Sequence, residues 1–207
     1  GQEKELFRDL TRFVALRHGA ARQALNTISE RGNTRTSFAE REAVVHSFLR
    51  DCWDVLDGVG RLANFVLFPV FPGAPLSPPL EMTRQVTFYT VRRDLHRHPH
   101  ARDHPLSRLM WKETRSEPSE TYLRLSFLYN LSLFAPLGID DDGVLPGSGG
   151  RPGHLQSLVR SQDLERAPVG EAMGEIMDWL EGFVARLYRG MDEALRAQAR
   201  ENRRGHS

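Results

Sequence analysis

Histidine and arginine are concentrated in one short stretch, residues 91–104, which we call the His/Arg segment. It holds four of the eight histidines and four of the 28 lysines and arginines of the chain. Imidazole exchanges protons near neutral pH, and guanidinium binds phosphate groups and stabilises negative charge. The side chains of the segment are therefore suited to acid–base chemistry on a phosphodiester, to phosphate binding or to metal binding.

The His/Arg segment lies in a strongly basic part of the chain. Between Arg84 and Arg115 there are eight basic residues and three acidic ones, although the whole chain has a net charge of only +1. A local excess of positive charge attracts anionic partners, among which nucleic acid is the first candidate. The residues predicted to bind nucleic acid are Arg92, Arg97, Arg102 and Lys112. Trp111 lies nearby and is able to flank a base, as are Tyr122 and Tyr129, although core packing is the default for all three.

Arg93 and His98 form an Arg-polar-x-x-x-His pattern, with Asp94 at the polar position. The two side chains are expected to converge near the end of a helix. Such a pair can cleave RNA without a metal ion, because histidine transfers the proton of the 2′-hydroxyl or of the leaving group and arginine stabilises the phosphorane charge. In this hypothesis Arg93 and His98 are catalytic, and Asp94 and His96 orient them.

This pattern resembles the motif of the HEPN superfamily (higher eukaryotes and prokaryotes nucleotide-binding), small all-α bundles that include many ribonuclease toxins and antiviral effectors. The resemblance covers residues 3–135 as two long helices, a break and a motif near a helix end. It implies a metal-independent endoribonuclease without a cofactor. It also implies a homodimer that brings two motifs together, and an antitoxin or other regulatory protein as a possible partner.

A second Arg-x4-His match runs from Arg41 to His46, with Glu42 at the polar position. It falls inside a long predicted helix, so we rank it below the match at Arg93.

Two other interpretations of the His/Arg segment stay open. In one, the protein is a non-catalytic helical module that docks nucleic acid or an acidic protein through residues 92–104. In the other, His100 and His104 are ligands in a metal-dependent helical-bundle enzyme, because imidazole suits zinc and nickel ions. Pro99 and Pro105 leave too few residues between them for a stable helix. The two histidines are therefore weak candidates, and we predict no metal site.

Apolar residues recur at intervals of three and four along most of the chain, which is typical of amphipathic helices. The predicted helices cover about 3–30, 38–68, 78–98, 106–115, 119–135 and 168–202. The third is expected to begin near Pro78-Pro79, because proline suits the first turn of a helix. These patterns predict an all-α fold, a four- to five-helix bundle that is HEPN-like and has a long C-terminal helix after a Gly/Pro-rich loop.

We predict a single domain in three parts. Residues 1–135 form the bundle core, 136–167 form a flexible loop rich in Gly, Pro and Asp, and 168–207 form an amphipathic helix that packs on the same bundle. The consecutive acids at 140–142 predict a turn rather than a calcium loop, which needs alternating acids. A lone cysteine, Cys52, excludes an intramolecular disulfide. With no apolar run long enough for a membrane span and no signal-peptide core, we expect a cytoplasmic protein.

Overall fold

The computed structural model describes residues 1–31, 37–71, 73–82, 85–139, 144–145 and 167–204. These residues form six α-helices: α1 (Gln2–Arg31), α2 (Phe38–Leu67), α3 (Phe88–Arg97), α4 (Pro105–Trp111), α5 (Glu120–Ser132) and α6 (Val169–Arg204). A 3-10 turn covers Pro79–Glu81 and a π-helical turn covers Lys112–Ser116. The all-α prediction is confirmed, and the described residues contain six α-helices.

Two strands of two residues accompany the helices. β1 (Val144–Leu145) pairs antiparallel with β2 (Ala167–Pro168). The acidic turn predicted at 140–143 and residues 146–166 of the predicted loop lie outside the described residues. In the described part of the chain, no helix is both long and apolar enough to cross a membrane.

The chain divides into two compact units. The first contains residues 1–16, 54–117 and 181–207, and the second contains residues 17–53 and 118–180. The division runs through α1, α2 and α6. The whole His/Arg segment lies in the first unit.

The apolar stripes predicted for α2 and α6 are buried along their whole length. In α2 the buried stripe consists of Val45, Leu49, Cys52, Leu56, Val59, Ala63 and Val66. In α6 it consists of Val169, Met173, Ile176, Leu180, Phe183, Leu187 and Met191. Burial of such stripes removes apolar surface from water, which is the main force that stabilises a helical protein of this size.

The start of α3 differs from the prediction. The helix does not run on from Pro78-Pro79, because only a 3-10 turn, Pro79–Glu81, forms there and Met82 after it has an extended backbone. The side chain of Asn64 bonds both backbone groups of Ser77 just before this turn, at 2.7 and 3.1 Å. The helix begins instead after Thr87, whose side chain forms a reciprocal capping box with Thr90. A capping box satisfies amides that the first helical turn leaves without partners.

Two residues of α2 set the position of this helix start. The carboxylate of Asp57 accepts a hydrogen bond from the Phe88 amide at 2.9 Å. Gly60 lies so close to Phe88 that a Cβ on the glycine would be 2.6 Å from the Phe88 Cα. The first turn of α3 is therefore fixed against α2, and the His/Arg segment follows from there.

Candidate nucleic-acid interface around helices α3 and α4

Two histidines hold the connection between α3 and α4. His98 ends α3, and its Nδ1 accepts a hydrogen bond from the Ala101 amide at 3.3 Å. His104 is the N-cap of α4, and its Nδ1 accepts from the Leu106 amide at 3.2 Å. A backbone amide can only donate, so each Nδ1 carries a lone pair and each ring, when neutral, has its proton on Nε2. Each imidazole therefore accepts a hydrogen bond from a backbone amide at one end of the connection.

We expect the free energy of unfolding to fall between about pH 7 and about pH 5, in part through His104. Burial lowers the pKa of His104 below its ordinary value. The unfolded chain then takes up this proton at a higher pH than the folded chain, so stability is lost as the pH falls through the unfolded-state pKa. Asparagine is a good N-cap that does not titrate. Urea unfolding at a series of pH values should therefore show a weaker pH dependence for His104→Asn, whereas parallel curves would contradict a role for His104.

The two residues of the Arg-x4-His pattern have separate surroundings. Arg93 donates from Nε to Asp94 at 2.7 Å and lies 6.0 Å from the Tyr89 ring. The hydrogen bond to Asp94 raises the pKa of Arg93. His98 instead contacts the rings of Phe71, at a centroid distance of 6.2 Å, and of His100, at 5.8 Å. Five positions in an α-helix correspond to a rotation of about 140°, so the two side chains leave the axis in different directions.

Arg92 lies inside the protein rather than on the surface expected for a nucleic-acid contact. Its side chain is buried, and Nη1 donates to the carbonyl and the hydroxyl of Thr114 at 3.0 and 2.7 Å. Its guanidinium also lies over the rings of Tyr89 and Trp111, at 5.1 and 5.8 Å. Arg97, by contrast, is exposed on α3.

An open groove of about 380 Å³ runs beside α4, and we call it the α4 groove. Its lining consists of His96, Arg102, Asp103, Arg108, Trp111, Lys112, Ser116 and Glu117. The structure thus brings together three of the predicted site residues, His96, Arg102 and Lys112. Arg108 and Ser116 were not foreseen, although their position in the basic stretch was a usable signal. Trp111 belongs to this groove, whereas Tyr122 is buried and Tyr129 stacks on Trp53 at 4.5 Å.

A stacked aromatic pair forms part of the groove wall. The rings of His96 and Trp111 are nearly parallel, with centroids 3.5 Å apart and planes 5° from each other. Partial burial lowers the pKa of His96, and the nearby charges of Arg102 and Arg92 lower it further. Near neutral pH the His96 ring is therefore uncharged and stacks as an aromatic surface. It contacts Trp111 rather than Arg93 or His98, which it was expected to orient.

The cationic side chains of the groove form exposed ion pairs with neighbouring carboxylates. Asp103 accepts from Arg108 at 3.0 Å and lies 3.8 Å from Arg102, and Lys112 pairs with Glu117 at 3.3 Å. The hydrogen bond from Arg108 lowers the pKa of Asp103. Exposed ion pairs of this kind are weak. With His96 uncharged, the groove lining thus has three cations and two carboxylates, a formal net charge of +1.

The histidines that were weak metal candidates have other contacts. His104 caps α4 and lies against the Phe71 ring, with centroids 5.6 Å apart, and His100 is exposed beside His98. Among the residues that the structure describes, no three His, Cys, Asp or Glu side chains are arranged to hold a metal ion.

Comparisons with protein-family models, with curated proteins and with solved structures found no match to this chain. The likeness to the HEPN superfamily therefore remains a resemblance of one short motif within an all-helical protein.

Proposed function

We propose that the protein binds single-stranded RNA through the α4 groove. The observation that carries this proposal is the combination of three cationic side chains, Arg102, Arg108 and Lys112, with the stacked rings of His96 and Trp111. Proteins that bind single strands combine a positive groove for the backbone with aromatic surfaces for the bases. RNA takes precedence over DNA because the motif at Arg93 resembles that of RNA-cleaving proteins.

A binding function fits the geometry better than cleavage by Arg93 and His98 within one chain. Among the described residues Arg93 contacts Tyr89 and Asp94, whereas His98 contacts Phe71 and His100. Catalysis by this pair requires both side chains at one phosphate. RNA binding in the α4 groove uses side chains that already line one groove, and it requires no movement of Arg93 toward His98.

Charge reversal of the groove tests RNA binding. We expect the triple variant Arg102→Glu/Arg108→Glu/Lys112→Glu to bind a labelled mixed-sequence single-stranded RNA on the order of 100-fold more weakly in fluorescence anisotropy. The slope of log affinity against log salt should also become shallower by about two, because each single-strand phosphate contact contributes about 0.7.

A second triple variant serves as the matched control, because it changes the net charge by the same amount. It reverses three exposed arginines that each pair with a nearby carboxylate: Arg8, Arg12 and Arg196. A similar loss of affinity in both variants would show that RNA responds to total charge alone and would contradict a defined site. Failure of the wild-type protein to bind RNA would remove the proposal altogether.

A HEPN-like endoribonuclease is the second candidate, favoured by the short Arg93–Asp94 ion pair on the surface of α3. Asp94 is at the polar position of the motif, and its carboxylate orients the Arg93 guanidinium. The family resemblance further implies a homodimer that joins two motifs, with an antitoxin or other regulatory protein as a partner.

Incubation of RNA in EDTA with wild type, Arg93→Ala and His98→Asn separates the two candidates. Asparagine keeps an acceptor for the Ala101 amide but cannot transfer a proton. Cleavage by the wild type alone supports the ribonuclease, and binding without cleavage supports the docking module.

A further inference from the structure

The helix that begins as α4 changes to a π-helical turn after Trp111, over Lys112–Ser116. Pro118 leaves one carbonyl of this turn without its α-helical donor. In a continued α-helix the Thr114 carbonyl would accept from the amide of residue 118, which is Pro118 and has no N–H. Arg92 supplies the missing donor, because its Nη1 bonds the Thr114 carbonyl at 3.0 Å.

Thr114 is held on both sides. Its hydroxyl accepts from Arg92 at 2.7 Å and donates to the Met110 carbonyl at 2.6 Å. The hydrogen bond that defines the π-turn runs from the Glu117 amide to the carbonyl of Lys112, five residues earlier, at 3.0 Å. The contacts of Thr114 with Arg92 and Met110 thus lie within the same turn as this bond.

The π-turn determines which side chains line the α4 groove. Bonding from residue i to i+5 places residues five apart on one face, whereas in an α-helix they lie about 140° apart. Trp111 and Ser116 are five apart and both line the groove. Lys112 and Glu117 are also five apart, and they form the ion pair at 3.3 Å.

Burial of the Arg92 side chain has a cost in folding free energy that a purely structural residue would not need. Its Nε is buried and has no hydrogen-bond partner among the described residues. A buried polar group without a partner destabilises the folded state. Single π-turns occur frequently at functional sites.

We propose that Arg92 is a positioning residue for RNA binding: it replaces the amide that Pro118 lacks, holds the π-turn and so keeps Trp111, Lys112 and Ser116 on one wall of the groove. This inference rests on the proposed function. Arg92 acts through Thr114 and does not touch the RNA.

The test compares Arg92→Met with the double variant Arg92→Met/Pro118→Ala. Methionine fills similar space but has no donor, so RNA affinity is expected to fall about tenfold with every groove residue intact. Alanine at 118 offers Thr114 an amide in α-helical register. The double variant should therefore regain melting temperature and helical circular dichroism but not RNA affinity. Recovery of RNA affinity together with stability would overturn the inference, because Arg92 would then serve stability alone.

The amide resonance of Glu117, whose N–H bonds the Lys112 carbonyl in the π-turn, gives a readout without RNA that does not depend on the Trp111 ring, over which Arg92 itself lies. It should shift in both Arg92 variants and stay unchanged in the control that reverses Arg8, Arg12 and Arg196. An unshifted resonance in Arg92→Met overturns the inference even where RNA binding by the wild type stands. If the resonance shifts in Arg92→Met but the wild type binds no RNA, the result supports the role of Arg92 in the π-turn. It then contradicts only the proposed function.

Discussion

Replacement of Gly60 by alanine is expected to destabilise the protein by about 3 kcal/mol, near the upper end of the cost of overpacking. The added methyl group would lie 2.6 Å from the Cα and 2.9 Å from the nitrogen of Phe88. Both are backbone atoms, so relief requires α2 and α3 to separate and weakens the hydrogen bond from the Phe88 amide to Asp57. Urea unfolding measures the effect.

Gly174→Ala provides the matched control, because Gly174 also lies inside a long helix. No atom lies within 4 Å of a Cβ placed there. The helix propensity of alanine should stabilise this variant by roughly 0.5–1 kcal/mol. Equal stability of the two variants would show that α2 and α3 are not in such close contact.

Glu42→Ala is expected to lower the free energy of unfolding by about 3 kcal/mol, since it leaves two buried amides and a partly buried one without an acceptor. The buried Glu42 carboxylate accepts from three consecutive amides: Leu137 at 2.9 Å, Gly138 at 2.8 Å and Ile139 at 3.2 Å. His46 also lies 3.2 Å from it. Gly138 has a φ of 70°, which favours glycine and turns the three amides toward one oxygen pair.

Glu40→Ala tests whether this loss is particular to Glu42. Glu40 is exposed, and its carboxylate accepts from the Ser37 amide at 3.1 Å in a capping box. Its removal should cost about 1 kcal/mol or less. Thermal and urea unfolding of both variants should separate them clearly. A loss for Glu42→Ala no larger than for Glu40→Ala would mean that residues 137–139 find other acceptors.

The role of Glu42 also bears on the second Arg-x4-His match, which runs from Arg41 to His46. The polar position of this match is Glu42. Its carboxylate accepts hydrogen bonds from the backbone after α5 and also lies close to His46. The sequence ranked this match below the one at Arg93 because it lies within a long helix. It contained no signal for the bond to residues 137–139, because the two partners are 95 or more positions apart.

The location of the α4 groove was predictable in part. His96, Arg102 and Lys112 came from the local concentration of charge and imidazole, which is visible in the sequence. The sequence did not show that Arg92 lies inside while its neighbour Arg93 lies at the surface. Adjacent residues on a helix point in different directions, so burial depends on where the helix begins and what packs against it.

The sequence by itself determined the long helices, because apolar periodicity is a property of each segment and α2 and α6 follow their stripes closely. Tertiary structure decided how the start of α3 is held against α2, the contacts of the π-turn and the burial of Glu42. Each of these depends on a hydrogen bond between distant positions: 31 residues separate Asp57 from Phe88, and 22 separate Arg92 from Thr114. Buried polar groups need hydrogen-bond partners. Because the fold brings these partners from distant positions in the chain, local sequence patterns do not identify them.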